Sequence, residues 1–154
     1  VPINKRQLER YRTIPSRWRG NRSFPILGRQ PKMKRILLVD DSRTVRSVCR
    51  DMLASHDMEI VEAENGAIAL EIVRSQPPFD SVLLDWNMPV MNGITFLETL
   101  MKEPLEKRPV VIMCSTENDM AHITQAIKAG ASEYIMKPFD ESVLEDKLHG
   151  TGVL

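Results

Sequence analysis

Five short apolar runs divide the chain, and each is followed by a polar or small residue and then by apolar positions at helical spacing. Ile36-Leu37-Leu38-Val39 has no polar alternation, the signature of a strand covered on both faces. It ends on Asp40-Asp41. Ser42 then offers an N-cap to a helix whose apolar positions are Val45, Val48, Cys49, Met52 and Leu53. Met58 to Ala63, with Ile60 and Val61 at its centre, is a second strand. Asn65-Gly66 turns into a helix carrying Ala67, Leu70 and Val73, which Pro77-Pro78 stops. The third run, Val82-Leu83-Leu84, ends on Asp85. Asn87, Pro89 and Gly93 mark the loop beyond it, and a helix with Ile94, Leu97, Leu100 and Met101 follows. After a charged loop from Pro104 to Pro109, Val110 to Cys114 form a fourth strand ending at Ser115-Thr116. The next helix, over Met120, Ile123 and Ile127, closes at Gly130. Glu133 to Met136 make a short fifth strand ending at Lys137-Pro138, and a last helix from Asp140 carries Val143, Leu144 and Leu148. Strands alternating with helices predict an α/β fold: a doubly wound, five-stranded parallel sheet with helices on both faces.

This pattern occupies residues 33–150, leaving 151–154 as a tail. Residues 1–32 show no sustained period and contain Pro2, Pro15, Pro25 and Pro31. Charge divides the chain at the same place. The net charge is zero, yet residues 1–35 hold eleven Lys/Arg against the single acid Glu9. The segment reads as a basic, disordered extension. Its Arg and Lys are interleaved with Tyr11, Trp18 and Phe24, which would suit nucleic acid, but basic runs alone are weak signals and nucleic-acid binding is not the expectation. Met33 directly precedes the first strand and is a candidate natural start. No apolar run approaches the ~18 residues of a membrane helix, and no secretory signal is present, so a cytoplasmic protein without membrane insertion is expected. Cys49 and Cys114 fit no metal spacing and lie in apolar segments, which predicts buried, reduced thiols.

The polar residues of interest fall at strand ends: Asp40 and Asp41 after the first strand, Asp85 after the third, Ser115 after the fourth and Lys137 after the fifth. In a parallel sheet all these ends share one edge, where open α/β sheets place their ligands. Separately, Ser115 reads as a helix cap and Lys137 as a surface ion pair; together with three acids they form a more specific pattern. Carboxylates at ~4 Å repel by about 4 kcal/mol per pair at an effective dielectric of 20, so the crevice needs positive charge. Lys137 provides one charge, and a hard divalent ion such as Mg²⁺ suits an all-oxygen site. A carboxylate so placed can attack phosphorus and become an acyl phosphate, which makes Asp85 the candidate phosphoacceptor, with Lys137 on the phosphoryl oxygens. Ser115 could bond to the phosphate in the phosphorylated state alone, and so bias a two-state loop.

The segments Leu-Leu-Val-Asp40-Asp41-Ser, Leu-Leu-Asp85-Trp-Asn-Met-Pro, Ser115-Thr-Glu and Tyr-Ile-Met-Lys137-Pro-Phe resemble the receiver domain of two-component response regulators, in order from about Lys34 to Leu148. The resemblance implies strand order 2-1-3-4-5. It implies that Asp85 is phosphorylated by a histidine kinase, and that Asp41, Asp85 and the backbone carbonyl of Asn87 hold Mg²⁺, with Asp40 supporting it through water. It further implies Ser115 as the switch hydroxyl, Tyr134 as the aromatic residue that turns inward on activation, and a cis Lys137–Pro138 bond. Asn87 and Glu117 resemble the chemotaxis type, where these positions influence phosphate lifetime; Asn87 leaves room for an attacking water. The expected protein is a stand-alone switch that catalyses only its own phosphorylation and dephosphorylation. Its output would be a changed protein-binding surface, with a downstream target such as the flagellar motor switch; the alternative is a phosphorelay shuttle or a regulator of another pathway. Other phosphate chemistries fit less well. The adjacent Asp40-Asp41 lacks the one-residue gap of haloacid-dehalogenase-type phosphatases, and neither a P-loop nor the Ser/Thr/Gly-rich loop of a flavodoxin follows the first strand.

Overall fold

The computed structural model describes residues 32–154; the expectations for the basic extension concern residues outside this range. The strands are β1 (Lys34–Val39), β2 (Met58–Ala63), β3 (Ser81–Leu84), β4 (Val110–Ser115) and β5 (Glu133–Met136). The helices are α1 (Arg43–Met52), α2 (Gly66–Ser75), α3 (Gly93–Lys102), α4 (Met120–Ala129) and α5 (Glu141–Gly150). All pairings are parallel and the sheet order is β2-β1-β3-β4-β5. Strand order reverses between β1 and β3, whose register pairs Val39 with Leu84. Asp40 and Asp85 therefore leave adjacent strands at the same level, at the topological switch point.

Two hydrophobic layers follow from the two-residue period of each strand. Leu37, Val39, Val82, Leu84, Val111 and Met113 face one layer with Leu70, Val73, Phe96, Leu97 and Leu100 of α2 and α3. Ile36, Leu38, Leu83, Ile112, Cys114 and Ile135 face the other, with Cys49 of α1, Leu53, and Leu144 and Leu148 of α5. Val153 also joins the second layer, its N–H donating to the Leu148 carbonyl, so the last residues fold back on α5. Both cysteines are free and buried, as expected.

Every helix starts on a side chain that accepts a backbone N–H: Ser42, Asn65, Asn92, Asp119 and Asp140. Gly130 closes α4 in the left-handed conformation with φ 119°. The apolar stripe expected of α4 does not form its buried face. Met120 is 73% and Ile127 47% exposed, and Ala126 is the buried residue. The stripe rests on only three large residues per ten, and the helix packs through its small one instead. Val48 on α1 and Val143 on α5 are likewise solvent-facing. No helix among the described residues is long and apolar enough to cross a membrane.

Candidate functional site

β1 delivers Asp40 and Asp41 and β3 delivers Asp85, and the three carboxylates each bring an oxygen within 4.8 Å of the others. Asp40 and Asp85 are 6% and 8% exposed, whereas Asp41 faces solvent. Asp40 is held rigidly. Its Oδ1 accepts the Ser42 N–H at 2.8 Å, its Oδ2 accepts from Lys137 Nζ at 2.6 Å, and its backbone carbonyl accepts from Arg46 Nη1 at 2.6 Å. Asp85 Oδ1 accepts the Trp86 N–H at 2.8 Å and lies 3.3 Å from Lys137 Nζ.

Burial disfavours the charged form of Asp85. Lys137 opposes this and Asp40 adds to it, so the carboxyl is pushed up to about 6. Burial would release the proton of Lys137, but the bond to Asp40 and the charge of Asp85 outweigh it and raise its affinity for the proton. Both partners thus report the same arrangement: one ammonium shared by two buried acids. The Lys137–Pro138 bond is cis, as the resemblance implies.

Glu117 joins the remaining sequence-predicted residues. Its N–H donates to the fully buried Ser115 Oγ at 3.1 Å, its carboxylate accepts from Asn87 Nδ2 at 3.1 Å, and its carbonyl accepts from the Tyr134 hydroxyl. Tyr134 is thus turned toward the residues following β4, and burial raises its hydroxyl's hold on the proton. Seven of the eight sequence-predicted residues lie at or just beyond the carboxyl ends of their strands: Asp40, Asp41, Asp85 and Lys137, and beside them Asn87, Ser115 and Glu117; Tyr134 lies within β5 and reaches Glu117 through its hydroxyl.

Other residues that shape the site carried no periodic or motif signal. A Cβ on Gly93 would stand 2.0 Å from the Asp85 carbonyl oxygen, and one on Gly66 would stand 2.8 Å from the Met91 carbonyl. Both glycines let the loop after β3 press against its supports. That loop contains Val90 at φ 67°, 85% exposed, a backbone region β-branched residues rarely occupy. Trp86, buried beside Asp85, meets the ring of His122 edge-on at 4.8 Å. Arg46, which holds the Asp40 carbonyl, belongs to no motif and carries no signal in the sequence.

Comparison with known proteins gives a consistent result. The family model described as "Response regulator receiver domain" matches residues 36–149. The chain is 37% identical over 123 residues to "Chemotaxis protein CheY homolog" of Campylobacter jejuni, covering 77% of this chain and 94% of that one. It is 42% identical over 113 residues to "Chemotaxis protein CheY" of Bacillus subtilis, covering 72% and 92% respectively. Among solved structures it resembles chemotaxis protein CheY4 of Vibrio cholerae with a TM-score of 0.71 at 28% identity, over 77% of this chain and 98% of that one. With the fold, the strand order and three-quarters of its length in common with these proteins, the chain belongs to the response regulator receiver domain family, of CheY type.

Proposed function

We propose that this chain is a phosphorylation switch in which Asp85 receives a phosphoryl group from a phosphohistidine of a kinase. An Asp85 carboxylate oxygen bonds to phosphorus as the phosphorus–nitrogen bond to the histidine breaks, and the imidazole leaves. The observation that carries this reading is the shared ammonium. Lys137 bridges Asp40 and Asp85 at 2.6 and 3.3 Å, at the edge where β1 and β3 part, and so stands ready to meet phosphoryl oxygens. Asp40, Asp41 and Asp85 form an oxygen-only, partly solvent-open set, which suits Mg²⁺. Asp41, Asp85 and the Asn87 carbonyl would hold the ion, with Asp40 supporting it through water. The bound ion supplies positive charge for the phosphoryl oxygens and offsets the crowding of carboxylates.

Ser115 already accepts a hydrogen bond from Glu117 N–H, and its own hydroxyl proton can go to a phosphoryl oxygen. Pulling on Ser115 moves Glu117, and the Glu117 carbonyl is what the Tyr134 hydroxyl holds. This link would pass the state of Asp85 to a surface where Ile127, Met136 and Val143 stand exposed on α4, β5 and α5. The target would be a protein with a complementary apolar segment, and the CheY-type relatives make a flagellar motor component the first candidate. A cleft of about 360 Å³ beside Lys137, lined by Val45, Val48, Met52, Pro138 and Phe139, could seat the kinase and equally serve the second reading, a phosphorelay shuttle. Another histidine-bearing protein could seat there.

The test is labelling with acetyl phosphate and Mg²⁺. The parent takes up one acid-stable, base-labile phosphoryl group on Asp85, and Asp85→Asn takes up none. Equal labelling of both proteins would falsify the proposal. Onward transfer of the label to a second histidine protein would decide for the shuttle.

A further inference from the structure

Apart from the three aspartates, Glu117, Asp119 and His122 each bring a ligand atom within 4.8 Å of the others. Glu117 follows β4, Asp119 caps α4, and His122 lies in the first turn of that helix. The imidazole is aimed by its surroundings. Its Nδ1 meets Asp119 Oδ2 at 2.5 Å, and a carboxylate can only accept, so the neutral ring carries its proton on Nδ1. The His122 backbone N–H donates to Asp119 Oδ1 at 2.9 Å, and the ring stands edge-on to Trp86. Nε2 is then an acceptor, and it stands 3.8 Å from Glu117 Oε2, a second acceptor. Two lone-pair atoms face each other with no proton between them. Glu117 is oriented through its other oxygen, Oε1, which accepts from Asn87 Nδ2 at 3.1 Å.

We infer that Glu117, Asp119 and His122 form a second metal site, for one transition-metal dication of the zinc class. Zinc lies ~2.0 Å from an imidazole nitrogen and ~2.1 Å from a carboxylate oxygen, so one ion can touch Nε2 and Oε2 across this gap. Asp119 acts from behind the ring: a carboxylate on Nδ1–H fixes the tautomer and makes Nε2 a stronger donor to the metal. Water completes the coordination, since Asp119 is exposed and Glu117 and His122 are half-buried. The imidazole nitrogen sets this trio apart from the oxygen-only set of Asp40, Asp41 and Asp85, which suits Mg²⁺. An ion held here ties the segment after β4 to the first turn of α4.

The experiment is titration of the full chain with Zn²⁺ alone as the probe, under saturating Mg²⁺ so that the three aspartates are occupied. Calorimetry should show one equivalent bound. In proton NMR the ring resonances of His122 should shift, while those of His56 and His149 stay in place. His122→Ala should abolish the binding, and Glu117→Gln should weaken it. Asp119→Asn can still cap the helix through Oδ1 but turns an amide toward Nδ1, and should bind zinc roughly tenfold more weakly. His56→Ala should bind as the parent does. Zinc bound as tightly by His122→Ala as by the parent would overturn the inference, and so would shifts at His56 or His149 in place of His122. Absence of binding at millimolar zinc would do the same. If His122→Ala does not fold, Glu117→Gln and the ring resonances of the parent decide. Zinc binding is read without phosphorylation, so its failure leaves the proposed role of Asp85 standing.

Discussion

Lys137 Nζ stands closer to Asp40 Oδ2, at 2.6 Å, than to Asp85 Oδ1, at 3.3 Å. The ammonium is therefore bonded chiefly to a neighbour of the proposed phosphoacceptor. Removing it strands a buried acid. Lys137→Ala should destabilise the metal-free protein by about 3 kcal/mol in urea unfolding, since an unpaired buried charge costs more than the pair contributes. In an Asp40→Asn background the same substitution should cost clearly less, and Mg²⁺ should return part of the loss in the single variant.

Asp85 gives a pH-dependent prediction of opposite sign. Its folded-state affinity for the proton is raised from 3.8 to about 6 by burial, so the ionised form disfavours the fold. Below about pH 4 the carboxyl is protonated in both folded and unfolded states and there is no penalty. Between 4 and 6 the penalty grows, and above 6 it is complete. Asp85→Asn should stabilise the metal-free protein by on the order of 2 kcal/mol at pH 7.5. The gain should vanish near pH 3.5 and shrink with saturating Mg²⁺ at neutral pH. Thermal unfolding of the two proteins across this range checks the sign.

Two glycines separate backbone crowding from helix propensity. At Gly93 an added Cβ meets the Asp85 carbonyl at 2.0 Å, and main chain cannot move aside as a flexible side chain could. Gly93→Ala should cost about 3 kcal/mol and impair phosphorylation, because the loop that carries Asp85 must shift. Gly150, near the end of α5, meets nothing within 4 Å. Gly150→Ala should leave labelling intact and be neutral or stabilising by up to ~1 kcal/mol.

Much of this arrangement was legible in the sequence because strands and caps speak locally. Apolar runs named the five strands, unbroken in β1, β3 and β4 and shorter in β2 and β5, and the polar residues at strand ends named the crevice. Strand order came from resemblance, since alternation alone leaves the order of a parallel sheet open. Exposure of Met120 and Ile127 was hidden because a helical period records which residues share a face, not which face turns inward. Gly93 read as loop punctuation, although its lack of a side chain is what admits the Asp85 carbonyl. His122 gave no signal at all, because Trp86 meets its ring only in the folded chain.

Arg35 illustrates the same limit at the opposite end of the sheet. In the sequence it marks the basic boundary, yet it is 6% exposed. Its guanidinium bonds Glu59 at 2.8 Å, Gln76 Oε1 at 2.9 Å and the Pro77 carbonyl, and lies 4.3 Å from the centre of the Phe79 ring. Arg35→Ala should destabilise by about 2 kcal/mol, through unpaired acceptors and the lost cation–π contact, with the labelling of folded protein unchanged. Chemical denaturation and acetyl phosphate labelling, run side by side, test both halves.

The pairing of Val39 with Leu84 has a last implication. Residues along β3 alternate between the two hydrophobic layers, so sliding this strand by one position would send Val82 and Leu84 to the wrong helices and turn Asp85 toward the opposite side. The address of the Asp85 carboxylate is therefore written in its greasy neighbours. Any change that loosens the register of β3 would misplace the proposed nucleophile without touching it.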